Sequence, residues 1–153
     1  NGQKLAFNGA GLRERFFMDL YVGALYLSNE SSDAKAIINA DEPMAITLDI
    51  VSSLIKSENM IEAMEEGFEK SLKGNRAALE EKVQKFKNAF KEEIVKGDHY
   101  VISYSNSKGT EVYKNGKKLV SISGLDFKKA LFGIWFSDDP VDEDLKDGML
   151  DKE

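Results

Sequence analysis

Near residue 97 the apolar residues change from helical to alternating spacing, and that change restricts the chain to helices packed on an antiparallel sheet. Met60, Met64, Phe68 and Leu72 recur every four positions, and Leu79, Val83, Phe86, Phe90 and Ile94 follow at intervals of four, three, four and four. Such spacing marks the buried stripe of an amphipathic helix. It predicts one helix from Ser57, a plausible cap, to the Gly74-Asn75 break, and a longer second helix ending before Gly97. From His99 onward the interval is two, through Tyr100, Ile102 and Tyr104, Thr110 to Tyr113 and Leu119 to Ile122. That alternation, broken at Asn106 to Gly109 and at Asn115-Gly116, predicts a three-stranded meander, because Asn-Gly supplies the positive φ of a two-residue hairpin.

The N-terminal third reads as strands. Phe16 to Leu27 is a long aromatic and apolar run that predicts a central strand, with Lys4 to Phe7 as its hairpin partner across a turn at Asn8-Gly9-Ala10-Gly11. A short helix around Ala34 to Asn39 and a strand over Met44 to Val51 follow. Beyond the meander, Asp126 is expected to cap a helix carrying Phe127, Ala130, Leu131 and Ile134. Pro140 is expected to open a last helix with Val141, Leu145 and Met149 on its buried side. With no repeat or linker, residues 1–153 are expected to form a single α+β domain, its antiparallel sheet covered by helices mainly on one face.

Composition narrows the chemistry. The sequence carries a net charge of -6, which disfavours nucleic acid as a partner. Its lack of cysteine and its single histidine, His99, leave no material for thiolate nucleophiles, cysteine zinc sites or Ser-His pairs. His99 reads as a solvated strand-edge residue. No metal or organic cofactor is implied: Gly9-x-Gly11 does not open a helix as a phosphate-cradling loop would. No run reaches the roughly 20 apolar residues needed to cross a bilayer, so the chain is not expected to span a membrane. Met60 and Met64 read as core filler, as do Trp135 and Tyr26, while Tyr104 and Tyr113 are expected to stack across the sheet. Glu65-Glu66 reads as solvated helix surface and Asp138-Asp139 as the start of a helix.

Several stretches together resemble the chalcone isomerase-like superfamily over nearly the whole chain. One is Asn8-Gly9-Ala10-Gly11-Leu12-Arg13 followed by Phe16 to Leu27, similar to the family's Gly-x-Gly-x-Arg segment and the strand after it. The other is Gly124-Leu125-Asp126-Phe127 with Ile134-Trp135, Asp139-Pro140 and Asp144-Leu145-Lys146, similar to its C-terminal helices. The resemblance implies the open-faced β-sandwich of that family. It also implies three possible roles: closure of a chalcone to a flavanone, binding of fatty acids without catalysis, or service as an interaction module.

Matched positions weigh against the first role. Arg13 stands where the enzymes carry arginine, but Tyr21 replaces a threonine, Met60 and Gly67 fall where a tyrosine and an asparagine would act, and Ile134 falls at a late threonine or serine. Ring closure needs donors that polarise a carbonyl, and losing one such donor costs about 10²–10³ in rate. The resemblance therefore points to a non-enzymatic binder of a small apolar acid, such as a fatty acid. Arg13 would grip the carboxylate and Tyr21 would add a hydrogen bond, with Arg15 second in rank for the cationic role. Phe17, Leu25, Met60, Met64 and Phe68 would line the apolar cleft. Arg13, Phe17, Tyr21 and Leu25 share parity, so a regular strand would turn them to one face. The competing reading of Arg13 is a turn residue paired with Glu14 or Asp19. Bacterial members of the family often carry an export signal and this chain starts at Asn1, so a periplasmic or secreted location is expected, with the cytoplasm as the alternative.

Overall fold

In a computed structural model, which describes residues 5–15, 18–53, 56–73 and 76–152, six strands follow one another across a single antiparallel sheet in chain order. They are β1 (Ala6–Arg15), β2 (Met18–Leu27), β3 (Met44–Ile50), β4 (His99–Ser105), β5 (Gly109–Lys114) and β6 (Lys117–Ile122). The helices are α1 (Ala34–Asn39), α2 (Ser57–Leu72), α3 (Glu80–Asn88), α4 (Leu125–Phe136) and α5 (Glu143–Met149), with a short 3-10 turn at Ala77–Leu79 before α3.

Alternation decides which face is covered. Leu25 pairs with Ile46 and Ile46 with Ile102, while Leu48 sits opposite Tyr100 and Ile102 opposite Val112. All of these join one apolar core with Met60, Met64, Phe68, Phe86, Phe127 and Trp135 from the helices, whereas Ala24, Ala45, Val101 and Tyr113, of opposite parity, stay outside it. The helices thus occupy one face of an open sheet, as the periodicity requires. Phe68 of α2 and Phe86 of α3 meet at 5.8 Å edge to face, Phe127 of α4 lies 5.9 Å from each, and Phe90 rests 4.8 Å from Tyr100 of the sheet. Burying a ring of this size contributes about 2–3 kcal/mol, so this cluster is a principal source of cohesion between helices and sheet.

Several expectations are corrected. The glycine segment is not a turn. β1 continues through Asn8, Gly9, Ala10 and Gly11 and pairs with β2 from Ala6↔Leu27 to Arg15↔Met18, with register shifts at Asn8 and between Arg13 and Glu14. β2 is next to the edge strand rather than central. The glycines are there because α5 lies on them: a Cβ on Gly9 would come within 2.3 Å of the Gly148 carbonyl oxygen. The second long helix is shorter than its stripe, since α3 ends at Asn88 and Phe90 and Ile94 are buried from a non-helical segment. The expected break at Gly74-Asn75 lies outside the described residues. α5 opens at Asp142, whose carboxylate accepts from the Leu145 amide at 3.1 Å, rather than at Pro140. Tyr104 faces Thr110 and Tyr113 faces Val101 across the β4–β5 ladder, so the two tyrosines do not stack. The Asn115-Gly116 hairpin is as expected, with φ of 51° and 89°.

Two charged pairs also differ from expectation. Glu65 is bound by Arg76, at 2.8 Å from Nη2 to Oε1, and by Lys87 at 2.6 Å, which clamps α2 to α3 and holds its carboxyl down at about 2, Arg76 contributing most. Asp139 lies outside any helix and pairs with Lys70 at 3.8 Å. His99 is half-exposed with Nδ1 2.6 Å from an Asp49 carboxylate oxygen, on the inner pair β3–β4 rather than at a sheet edge.

Candidate functional site

Arg13 and Tyr21 come together because they are register partners across the β1–β2 hairpin. Directly opposed residues project to the same face, so pairing does what strand parity was expected to do. Both are buried, Arg13 at 4% exposure and Tyr21 at 3%. The Tyr21 hydroxyl accepts a hydrogen bond from the Trp135 indole Nε1–H of α4 at 3.1 Å, and accepting that bond leaves the phenolic proton to donate elsewhere. Burial pushes the phenol up, against the opposing pull of the Trp135 hydrogen bond and the Arg13 charge.

Arg13 Nη1 donates to the Glu14 carbonyl at 2.9 Å and lies 3.9 Å from a carboxylate oxygen of Asp142, the cap of α5. The expected partners Glu14 and Asp19 do not take the ion pair through their carboxylates; Glu14 offers its backbone oxygen instead. Asp142 is only 16% exposed at its side chain, and its Oδ2 also accepts a long 3.4 Å bond from the Glu14 amide. The site is therefore a buried guanidinium, a phenol and an indole N–H, closed by an aspartate from the helix that rides on the β1 glycines.

Of the other residues expected here, Leu25, two positions along the same face from Gly23, is fully buried, as are Met60, Met64 and Phe68, and all share one core with Tyr21. Phe68 is turned toward the rings of Phe86 and Phe127. Phe17 lies outside the described residues, and for Arg15 the structure describes the backbone, which pairs with Met18 at the hairpin end. Gly67 and Ile134, matched above to polar positions, pack against each other: a Cβ on Gly67 would stand 2.6 Å from Ile134 Cγ2. Both positions are spent on the contact between α2 and α4.

Sequence reasoning missed two residues. Asp142 could have been found as an acid three positions before the buried Leu145, the spacing of a helix cap. Trp135 was read as core filler; it is core, but it also fixes the Tyr21 hydroxyl. Among the described residues there is no cluster of three or more potential metal ligands, and no helix is long and apolar enough to cross a membrane.

The family model described as chalcone isomerase-like matches residues 1–151. Among solved structures, the chain is similar to a fatty-acid binding protein of Arabidopsis thaliana at 17% identity and a TM-score of 0.79, over 99% of this chain and 89% of that one. At that identity the likeness establishes the shared fold. No curated protein sequence matches it. With nearly its whole length matched, the chain belongs to the chalcone isomerase-like family.

Proposed function

We propose that the protein binds a small apolar carboxylate such as a fatty acid and catalyses no reaction on it. The observation that carries this reading is a buried guanidinium, paired across one hairpin with a tyrosine hydroxyl, whose carboxylate partner stands at the loose distance of 3.9 Å. A ligand carboxylate would take the Arg13 fork at normal hydrogen-bond length and receive the Tyr21 proton as a second, directional bond. Leu25, Met60, Met64 and Phe68 would supply the surface for the tail. They are packed together, so entry requires them to part, a movement that unbranched methionines accommodate at low cost. The shared fold with a fatty-acid binding protein of Arabidopsis thaliana supports the same ligand class.

Loss of isomerase chemistry rests on Met60, Gly67 and Ile134. None carries a hydrogen-bond donor in its side chain, and the last two are held in contact with each other. A spectrophotometric assay with a chalcone is expected to show no turnover above the uncatalysed rate. The interaction-module reading would need a contiguous exposed apolar patch. Among the described residues the large exposed apolar side chains are Phe7 at 55% and Leu12 at 38%, both on the edge strand β1, and Val95 at 49%. We also propose a periplasmic or secreted location, with the cytoplasm as the alternative; fractionation of cells expressing it from its native gene tests this.

The experiment is a thermal shift with medium and long fatty acids, repeated on Arg13→Ala. A binder rises in melting temperature with ligand concentration, and the rise is expected to vanish in the variant. No shift in the parent protein at concentrations far above micromolar would overturn the reading.

A further inference from the structure

We propose that Asp142 is a built-in competitor for the ligand's carboxylate, so that the protein sets its own affinity through a helix cap. The inference rests on the binding role just given to Arg13 and goes beyond it. Three observations meet at this residue. Asp142 provides the ion-pair partner of Arg13 among the described residues, and does so from inside, with both side chains largely buried. Its two oxygens do different work: Oδ1 caps α5 through the Leu145 amide at 3.1 Å, while Oδ2 faces Arg13 and the Glu14 amide. The helix that carries it is held against the hairpin, with the Met149 carbonyl accepting from the Asn8 side chain at 2.9 Å and Gly148 against the Ala10 carbonyl oxygen. The carboxylate is thereby delivered to the guanidinium by backbone packing rather than by a free surface side chain.

A carboxylate fixed beside a buried guanidinium occupies the position that an incoming carboxylate must take. Ligand binding then breaks one ion pair to form another, and the observed affinity is the intrinsic affinity reduced by the fraction of molecules in which Arg13 is free of Asp142. A fatty acid succeeds because its carboxylate can approach closer than 3.9 Å and its tail adds apolar burial. A ligand with a neutral head cannot displace the aspartate, so Asp142 also acts as a filter for charge.

The separation of the two oxygens makes the idea testable. Asparagine and serine cap helices about as well as aspartate, so Asp142→Asn and Asp142→Ser keep the Oδ1 role while removing the charge that faces Arg13. Calorimetric titration with dodecanoic acid and with dodecanol would be run on the parent protein, both cap variants and Arg13→Ala, with melting curves to verify folding. Dodecanoic acid is expected to bind both cap variants about tenfold more tightly than the parent, with dodecanol unchanged and Arg13→Ala silent. Detection of binding only in the cap variants supports the proposal equally. Parent binding that depends on Arg13 but is unchanged or weakened by the cap variants overturns the competitor role and leaves the binding function standing. An equal gain for dodecanol also overturns it, because a loosened helix would then explain the effect. Silence in every variant removes the binding function and this inference with it.

Discussion

Among the described residues two cations are buried, and the fold treats them in opposite ways. Lys128 of α4 is fully buried, and its ammonium donates to the carbonyl oxygens of Ile38 and Ala40 at 2.8 and 2.7 Å and to that of Ile37, at the C-terminal end of α1. The Phe132 and Tyr104 rings lie 5.1 and 5.7 Å from it, and Tyr104 in turn donates to Asp41 at 2.5 Å. Its three donors have three acceptors at close range, placed where the α1 dipole is negative. Among the described residues, the five donors of Arg13 meet one close carbonyl, the neighbouring Tyr21 hydroxyl and a loose carboxylate. A cation whose every proton is claimed by backbone holds structure, while one held loosely retains capacity for something that arrives from outside.

That contrast is sharpest in stability. Lys128→Ala leaves three buried carbonyls without their donor and opens a void, and is expected to cost about 3–4 kcal/mol in a urea titration. Tyr21→Phe, on the arginine side, strands the Trp135 indole N–H and should cost about 1–2 kcal/mol. Arg13→Ala removes an ion pair at 3.9 Å and, because Asp142 keeps the Leu145 and Glu14 amides as donors, is expected to cost about 1–2 kcal/mol, while abolishing the ligand-dependent rise in melting temperature. An Arg13 variant as damaging as the Lys128 variant would break the comparison and make both cations structural.

The smallest expected effect is in alkali. Burial holds the Lys128 amine down at about 8, with Asp41 opposing, against an ordinary value of 10.5. Between those values the unfolded chain carries more protons than the folded one, so this group makes stability rise with pH across about pH 8 to 10. The three carbonyl acceptors favour the charged amine and offset most of the roughly 3 kcal/mol that burial alone would give, so a few tenths of a kcal/mol are expected. The rise should disappear in Lys128→Met. It should survive in Arg13→Ala, which leaves Lys128 and its carbonyl partners in place.

Legibility in the sequence follows the range of the interaction. The helix stripe of α2, the period-two meander, the Asn115-Gly116 hairpin and helix α1 all follow from neighbours in sequence, and all are found near where they were expected. β1 was misread because Gly9 and Gly11 look like a turn, whereas their purpose is to admit α5. Lys128 was passed over although Lys128, Leu131 and Trp135 form one buried stripe; what makes a lysine acceptable there is the end of α1, some 90 residues away. Of the site, the Arg13 and Tyr21 partnership was reached through the family pattern. Asp142 was not, because the approach of a cap to a strand is set by glycines in both.

The contact between α5 and the β1 glycines has a consequence for how the chain is made. The hydrogen bond from Asn8 to the Met149 carbonyl spans 141 residues. On a ribosome adding about 5–20 residues per second, the first strand therefore emerges many seconds before the helix that covers it. Through that interval its glycines present bare backbone beside an edge, a surface open to mispairing. A polypeptide arrested just short of α5 would carry that surface indefinitely, which marks this seam as the place for chaperone attention during synthesis.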